Sequence, residues 1–339
     1  MRFLCSRFAA ALLVPFWATI ADAAEVNIYS ARQEALIKPQ LDAFTDETAI
    51  RVNLVTGDAK ELVQRMKAEG LNSPADLLFT ADAGNLYAAT TAGLCQQLRS
   101  EALERAIPAP YRDPQGSWFG LGLRARPIFY LPGKVDPAEL KTYEDLADPK
   151  WKGRILVRSS NHVYNQSLLA SIIAHKGSAA AEEWAKGVAA NLARKPQGGD
   201  RDQIKAAAAG EGDIVIANSY YYAQMLTSDN EEEREAAKKL KVIWPNQADR
   251  GVHVNVSGAC VTAHAPNKEA AVKLLEYLVS DKAQQIYAEM GQEFPVNPDI
   301  PASQTLQGLG SFKADELNLV ELGEHNAEAV RIFDRVGWP

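Results

Sequence analysis

The sequence predicts an α/β fold in two halves, with mostly parallel sheets flanked by helices. Two observations predict it. Short β-rich runs alternate with helical patterns, and this alternation pauses after Gly93 and resumes at Arg154. In addition, the 339 residues exceed what one small core requires, and 47% of them are apolar, which excludes a disordered chain.

The first half contains three strand–helix units. The strands are predicted at Val26–Tyr29, Arg51–Val55 and Asp76–Thr80. The helices are predicted around Leu36–Phe44, Leu62–Met66 and Asp82–Ala92, where apolar residues recur at helical spacing. Gly70 and Gly93 are expected to end the last two helices, and Asp58 and Glu61 are expected to cap the start of the second.

The second half repeats this pattern after Pro108–Gly122, a connecting stretch rich in Pro and Gly with little periodicity. Strands are predicted at Arg154–Arg158, Asp213–Ala217 and Val252–Val261. Helices are predicted at Tyr164–His175, Ala180–Leu192, Arg201–Ala209 and Lys268–Val279, with Glu231–Lys241 as an exposed, charged helix face.

The N-terminus has the composition of a secretory signal peptide. Arg2 and Arg7 precede the apolar stretch Phe8–Ile20, and Ala21 and Ala23 supply the small residues of a cleavage site. We therefore predict a signal peptide over residues 1–23 and a mature chain that begins at Ala24, is exported to the periplasm and does not insert into the membrane, because 13 apolar residues are too few to span it.

Charge and cysteine content exclude two further classes. A net charge of −7 argues against nucleic acid as a partner. No His or Cys has the spacing of a zinc site. Cys95 and Cys260 remain in the mature chain, and the sequence leaves open whether they pair or stay as buried free thiols.

Two α/β halves in an exported chain favour a solute-binding protein, whose ligand lies in the crevice at the carboxyl ends of the strands. An exported hydrolase is disfavoured, because no nucleophile–base constellation is visible. The chain is therefore not expected to be an enzyme.

The most distinctive candidate at a strand end is the run Asn218–Tyr222, NSYYY. Aromatic packing is the simpler explanation for such a run. The alternative is coordination of a metal by phenolates, and hard oxygen donors of this kind suit Fe³⁺ rather than Zn²⁺ or Cu⁺.

A second candidate is RARPIFY, Arg124–Tyr130, in which Arg124, Arg126 and Tyr130 recur at a spacing of two. On a regular strand these side chains share one face and could point into one cleft. Pro127 makes the strand an edge strand or an irregular one, which weakens this inference.

Several segments together resemble the periplasmic ferric-iron-binding proteins, the soluble components of iron ABC importers. They occur in the expected order over nearly the whole mature chain: YSARQE (29–34), RARPIFY, YEDLADPKWKGRI (143–155), RSSNHVYNQSLLAS (158–171), NSYYY and SGACVTAHAPNKEAAVKLLEYLVS (257–280). The resemblance implies a two-lobed periplasmic-binding-protein fold, each lobe a mixed, mostly parallel sheet flanked by helices, with the ligand in the interlobe cleft. It implies an N-terminal lobe of residues 24–125 and 249–305, and a C-terminal lobe of residues 126–248 and 306–339.

The resemblance also implies the site. Its paired phenolate ligands fall on Tyr220 and Tyr221, preceded by Asn218, and its third phenolate on Tyr130. Tyr222 is then a packing residue. The family often has a histidine, sometimes followed by tyrosine, where this chain has Gln33 and Glu34, so the fourth protein ligand stays open and these two become residues near the site.

Three phenolates neutralise Fe³⁺ and leave coordination positions for carbonate or another small anion. Because arginine binds anions through two parallel hydrogen bonds, Arg126 is the first candidate to hold it, with Arg32 and Arg124 next. The predicted function is capture of Fe³⁺ by a periplasmic monomer that delivers it to an inner-membrane ABC iron permease. The alternative keeps the fold but binds a small organic or anionic solute without metal.

Overall fold

The computed structural model describes residues 24–339, and the predicted signal peptide lies outside the described residues. The strands are β1 Glu25–Ser30, β2 Arg51–Thr56, β3 Leu77–Ala81, β4 Phe119–Ala125, β5 Ile128–Tyr130, β6 Ile155–Leu156, β7 Ile214–Ile216, β8 Lys241–Ile243, β9 Val254–Val261 and β10 Phe294–Pro295. The helices are α1 Lys38–Thr48, α2 Ala59–Glu69, α3 Ala83–Thr91, α4 Glu101–Ala106, α5 Val163–Lys176, α6 Ser178–Ala190, α7 Asp200–Ala208, α8 Ser219–Leu226, α9 Glu231–Lys238, α10 Lys268–Leu278, α11 Asp281–Gly291, α12 Gln304–Gln307, α13 Val320–Glu324 and α14 Asn326–Val336.

Within residues 24–339 the strands form two sheets, which define two lobes. The first lobe contains a six-stranded sheet in the order β10-β4-β9-β3-β1-β2, and the second contains a four-stranded sheet in the order β6-β7-β5-β8. Strands of the first sheet come from residues 25–125 and 254–295, and those of the second from residues 128–243. The lobe boundaries given above at single-residue level remain predictions.

Both sheets are mixed, as predicted, but they are not mostly parallel. The parallel pairs are β1–β2, β1–β3 and β6–β7. The antiparallel pairs are β3–β9, β4–β9, β4–β10, β5–β7 and β5–β8. β9, which returns to the first lobe from the second, lies antiparallel to β3 and β4, and β5 lies antiparallel to both of its neighbours in the second sheet.

The two lobes are joined where the chain crosses from β4 to β5 and back into β9. The backbone N–H of Arg126 donates to the carbonyl of His253 at 3.0 Å, so the two crossing segments are hydrogen-bonded to each other. The hydroxyl of Tyr143 joins both segments, since it donates to the Arg126 carbonyl at 2.8 Å and accepts from the His253 N–H at 3.2 Å. This paired crossing connects the two lobes.

Local sequence accounts for most of the observed boundaries. Asp58 caps α2 through its side chain, which accepts from the backbone N–H of Lys60 at 2.8 Å, as predicted. Gly70 ends the same helix with a φ of 55°, a conformation that favours glycine. The strand predicted at Arg154–Arg158 is present but short, as β6.

The stretch Pro108–Gly122 shows the clearest difference between the predicted and the observed secondary structure. Its second part is not irregular, since β4 begins at Phe119 and all seven of its residues are buried. The glycines within it permit close packing: a Cβ on Gly122 would lie 2.0 Å from the ring of Tyr287. Glycine therefore marks a central strand here rather than a loop.

Apolar packing fixes each sheet against its helices. In the first lobe, Phe44 of α1 and Leu274 of α10 belong to one core cluster with Leu77 of β3. In the second lobe, Phe129 of β5 packs in a cluster with Met225 of α8. Over the described part of the chain, no helix is long and apolar enough to cross a membrane.

Cys95 and Cys260 form a disulfide, with their Cα atoms 5.7 Å apart. Cys260 lies in β9 and Cys95 bridges to Thr262 directly after that strand, so the bond lies within the first lobe. This resolves the alternative that the sequence left open.

We expect the double substitution Cys95→Ser and Cys260→Ser to lower the free energy of unfolding by about 2–5 kcal/mol, because the bond closes a loop with a sequence separation of 165 residues. Denaturant titration of the oxidised chain and the variant measures the change. Reductant should destabilise the parent chain only, and equal sensitivity of both would contradict the assignment.

Candidate functional site

Three tyrosines converge at one edge of the second sheet. The hydroxyl oxygens of Tyr164 and Tyr220 lie 3.2 Å apart, and the rings of Tyr220 and Tyr221 have their centroids 4.0 Å apart. All three line one cavity of about 460 Å³. The predicted pair is therefore present, with a third phenol beside it that the sequence analysis did not select.

Strand direction brings these tyrosines together. β6 and β7 are adjacent parallel strands, with Ile155 opposite Ile214, so their carboxyl ends meet at the same edge of the sheet. The helices that follow them, α5 and α8, both begin at that edge, and Tyr164 and Tyr220 lie in their first turns.

Tyr130 does not join this group, which corrects the prediction. β5 runs antiparallel to β7, so Tyr130 lies opposite Ile214, the first residue of β7, at the edge away from Tyr220. Its half-buried side chain packs against the apolar core. Pro127 lies between β4 and β5, so the spacing of two from Arg124 to Tyr130 does not belong to one regular strand.

Tyr222 is a packing residue, as predicted. Its hydroxyl donates to the carbonyl of Leu240 at 2.9 Å, and its ring lies 4.5 Å from that of Phe129, centroid to centroid. The three consecutive tyrosines thus divide into two that face the cavity and one that faces the core.

The cavity is lined from both lobes. Arg32 and Gln33 reach it from the loop after β1, and Arg201 and Gln224 line it beside the tyrosines. Glu34 is exposed, and is not part of the lining. Arg201 and Gln224 were not identified from the sequence. The one feature that could have indicated Arg201 is its position at the start of a predicted helix that follows a loop.

Arg32 is the arginine placed to interact with a ligand in this cavity. Its Nη1 lies 2.6 Å from Glu293 Oε1 and donates to Ser257 Oγ at 2.8 Å. Its Nε and Nη2 are buried and have no partner among the described protein groups. Two donors of one guanidinium are thus free for a bound anion.

Arg126, the first candidate for that role, is engaged elsewhere. Its Nη1 donates to Asp200 and Asn218 at 3.1 and 2.9 Å, and its Nη2 donates to Asn165 at 2.7 Å. The backbone N–H of Asn218 also donates to Asp200, at 2.7 Å. Arg126 and Asn218 therefore belong to a buried network behind the tyrosines, and the prediction for Arg126 is corrected on this ground.

Arg124 lies behind the tyrosines as well. Its guanidinium carbon is 5.2 Å from the ring centroid of Tyr164, where those of Arg126 and Arg158 approach to 5.8 and 5.2 Å. Three cations next to one aromatic ring supply positive charge where a phenolate would carry negative charge.

Both paired tyrosines have a raised pKa. Burial, and after it the neighbouring Tyr164 and Asp200, raises the pKa of Tyr221 to about 12. Burial, and after it the adjacent phenols, also raises the pKa of Tyr220 well above its ordinary value. Any cation held by both oxygens must displace their protons.

Other donor sets are absent from the part of the chain that the structure describes, where no group of three or more His, Cys, Asp or Glu side chains could hold a metal ion. His162 lies near Tyr164 but has a structural role, because its Nδ1 accepts from the backbone N–H of Tyr164 at 3.3 Å and caps α5. Burial is the largest cause that lowers the pKa of His162 to about 3.

The comparison with known proteins agrees with this architecture. A family profile described as bacterial extracellular solute-binding protein matches residues 71–311. Iron uptake protein A1 of Synechocystis is 45% identical over 93% of this chain and 87% of its own length.

Solved structures show the same similarity. A Trichodesmium protein (IdiA, FutA) in complex with iron and citrate superposes with a TM-score of 0.90 at 49% identity, covering 93% of this chain and all of the other. A ferric binding protein from Campylobacter jejuni superposes with a TM-score of 0.89 at 41% identity, again over 93% of this chain and all of the other. The relatives named here are an iron uptake protein, an IdiA/FutA protein in complex with iron and citrate, and a ferric binding protein. The chain belongs to the family of bacterial extracellular solute-binding proteins.

Proposed function

We propose that this chain is the periplasmic Fe³⁺-binding component of an iron ABC importer, and that Tyr164, Tyr220 and Tyr221 are its metal ligands. The observation that carries the proposal is the convergence of three phenols on one interlobe cavity, with two of their oxygens 3.2 Å apart. The names of the relatives support iron as the cargo.

The chemistry of the donors agrees with a ferric ion. Phenolate oxygens are hard donors, which match a trivalent hard cation better than a soft or divalent one. Three phenolates balance the three positive charges of Fe³⁺, so the ion and its phenolates together add no net charge to the buried surroundings.

The remaining coordination positions are open to an anion, carbonate or an organic carboxylate such as citrate. Arg32 replaces Arg126 as the proposed anion-holding residue, because its Nε and Nη2 lack protein partners and the side chain lines the cavity. The citrate held with iron by the Trichodesmium relative supports an organic anion in such a site. Gln33 lines the cavity with a neutral amide, and exposed Glu34 is given no ligand role.

The partner and compartment follow from the family. Extracellular solute-binding proteins of this type serve ABC transporters, so the proposed partner is an inner-membrane iron permease. We propose that the protein acts as a monomer, because the cavity is lined by a single chain. The disulfide between Cys95 and Cys260 supports an oxidising compartment such as the periplasm.

A spectroscopic titration tests the proposed function. Adding ferric citrate to the mature chain should produce a visible phenolate-to-iron charge-transfer band that saturates at one iron per chain. Tyr220→Phe and Tyr221→Phe should weaken and shift the band, whereas Tyr222→Phe should leave it unchanged, because that hydroxyl donates to Leu240.

A saturated protein that stays colourless would contradict iron binding. Tight binding of citrate alone, without metal, would favour the alternative of an organic solute binder with the same fold.

Iron affinity should fall as the pH is lowered from 8 to 5. Because the pKa values of Tyr220 and Tyr221 are raised, both phenols carry protons throughout this range, and iron must displace them. Each displaced proton changes the affinity by about tenfold per pH unit. Competition against a chelator of known pH dependence measures this slope, and equal affinities at pH 5 and pH 8 would exclude phenolate ligation.

A further inference from the structure

Gln224 makes a hydrogen bond between the two lobes beside the iron cavity. The residue lies in α8 of the second lobe, one turn after Tyr221, and its side chain lines the cavity of about 460 Å³. Its Nε2 donates to the carbonyl oxygen of Gly291 at 3.0 Å. Gly291 is the last residue of α11, which packs against α1 in the first lobe. The bond therefore crosses the boundary between the lobes at a wall of the cavity.

The amide orientation of Gln224 is fixed by a contact of its other atom. Arg201 Nη2 donates to Gln224 Oε1 at 2.7 Å, so the oxygen faces Arg201 and the nitrogen is left to face Gly291. Arg201 is itself held, because its Nη1 donates to Glu233 Oε2 at 2.8 Å. Gln224, Arg201 and Glu233 all belong to the second lobe. This lobe thus presents an oriented donor to the first lobe.

The acceptor is a carbonyl at the end of a helix. The last carbonyls of an α-helix have no partner within the helix. α11 ends because Gln292 takes the left-handed conformation, with a φ of 52°, and its backbone N–H turns back to the carbonyl of Ala288. The carbonyl of Gly291 is left beyond this turn, where Gln224 donates to it from the other lobe. Water takes the place of Gln224 when the lobes separate.

The same turn holds the arginine that is proposed to bind the anion. Glu293 follows Gly291 by two residues, and its Oε1 lies 2.6 Å from Arg32 Nη1. Glu293 is fully buried, and its Oε2 also accepts from Ser257 Oγ at 2.9 Å. The turn 291–293 therefore contacts the second lobe at its first residue and Arg32 at its last.

We infer that Gln224 is a closure residue, whose hydrogen bond to Gly291 stabilises the arrangement in which the phenols of the second lobe and Arg32 of the first line one cavity. The inference rests on the proposed iron site but gives Gln224 no bond to the metal. Because the contact exists only while the lobes lie together, it raises the population of the closed form and leaves the ligand set unchanged.

Gln224→Met tests this role, because methionine keeps the length of the side chain and removes the donor. A chelator reaches the metal through the open form, so the rate of release follows the open population. Loss of one hydrogen bond that water replaces on opening should quicken release by about 2- to 10-fold. The rate is measured by mixing the iron-loaded chain with excess chelator and following the decay of the charge-transfer band. Before mixing, the band should have the same position as in the parent chain.

Gln64→Met is the matched control, since it makes the same change at an exposed position of α2. It should release iron at the rate of the parent chain. Equal release rates in Gln224→Met and Gln64→Met would overturn the inference. A shifted band in Gln224→Met would also overturn it, because Gln224 would then belong to the ligand set. A parent chain that stays colourless with ferric citrate would contradict the proposed function and this inference together.

Discussion

Tyr164→Phe is expected to lower the affinity for Fe³⁺ by roughly 100-fold or more, since even the groups that only orient metal ligands contribute 10–100-fold. The substitution removes one of three proposed phenolate ligands and leaves the ring in place between Tyr220 and the arginines behind it. The charge-transfer band should shift and lose intensity. Competition titration against a chelator other than citrate gives the affinity, and the visible spectrum reports the ligand set.

Tyr130→Phe is the matched control, because the sequence alone had given Tyr130 this role. It should bind iron as the parent chain does, since Tyr130 lies at the opposite edge of the sheet. If Tyr130→Phe lost the band and Tyr164→Phe kept it, the ligand set proposed from the structure would be wrong.

Asp200→Asn is expected to lower the free energy of unfolding by about 3–5 kcal/mol. Asp200 is fully buried and lies 3.1 Å from Arg126 Nη1 and 3.5 Å from Arg158 Nη1, while it also accepts from the Asn218 N–H. Removing its charge leaves two guanidinium groups without their carboxylate partner behind the tyrosines. Denaturant-induced unfolding of the iron-free chain measures the change.

The same substitution at a half-exposed pair provides the control. Asp213 lies 2.7 Å from Arg154 Nε, with about a quarter of each side chain exposed to solvent, at 22% and 29%. Asp213→Asn should cost less than about 1 kcal/mol. Equal losses in the two variants would show that the buried network around Arg126 is no more important than a surface ion pair.

Periodicity was sufficient to predict most elements of this fold. The strands at Val26–Tyr29 and Arg51–Val55 and the helix at Lys268–Val279 lie within a residue or two of their observed positions. Strand direction was not available from periodicity, because an apolar run reads the same whether its neighbour is parallel or antiparallel. The sequence near β9 and β10 therefore did not indicate that these strands would lie antiparallel to their neighbours in the first sheet.

The site illustrates the same limit. The pair Tyr220 and Tyr221 was recognisable because it follows a buried strand directly. Tyr164 was overlooked although the strand before it was predicted, because a loop separates β6 from α5 and no second tyrosine stands beside it in the sequence. Tyr130 was assigned from the family resemblance. Its spacing of two from Arg126 does not describe one regular strand, because Pro127 lies between β4 and β5.

The sequence offered no reliable basis for ranking the arginines, and Arg126 was placed first for a role that the structure favours for Arg32. Arg32, Arg124 and Arg126 are all buried, and they differ only in which carboxylate or amide each one meets. Asp200 satisfies Arg126 from 74 positions along the chain. Contacts between residues so far apart in the sequence arise only in the folded molecule, and no short motif predicts them.

All three facing phenols are attached to the second lobe, whereas Arg32 belongs to the first. Separation of the two lobes would thus expose the bound metal and move Arg32 away from the anion. The three tyrosine oxygens would keep their positions relative to one another. With the proposed ligand set, we expect release of the metal to require protons or an electron in addition to mechanical opening. On this geometry an open molecule can still be a loaded one.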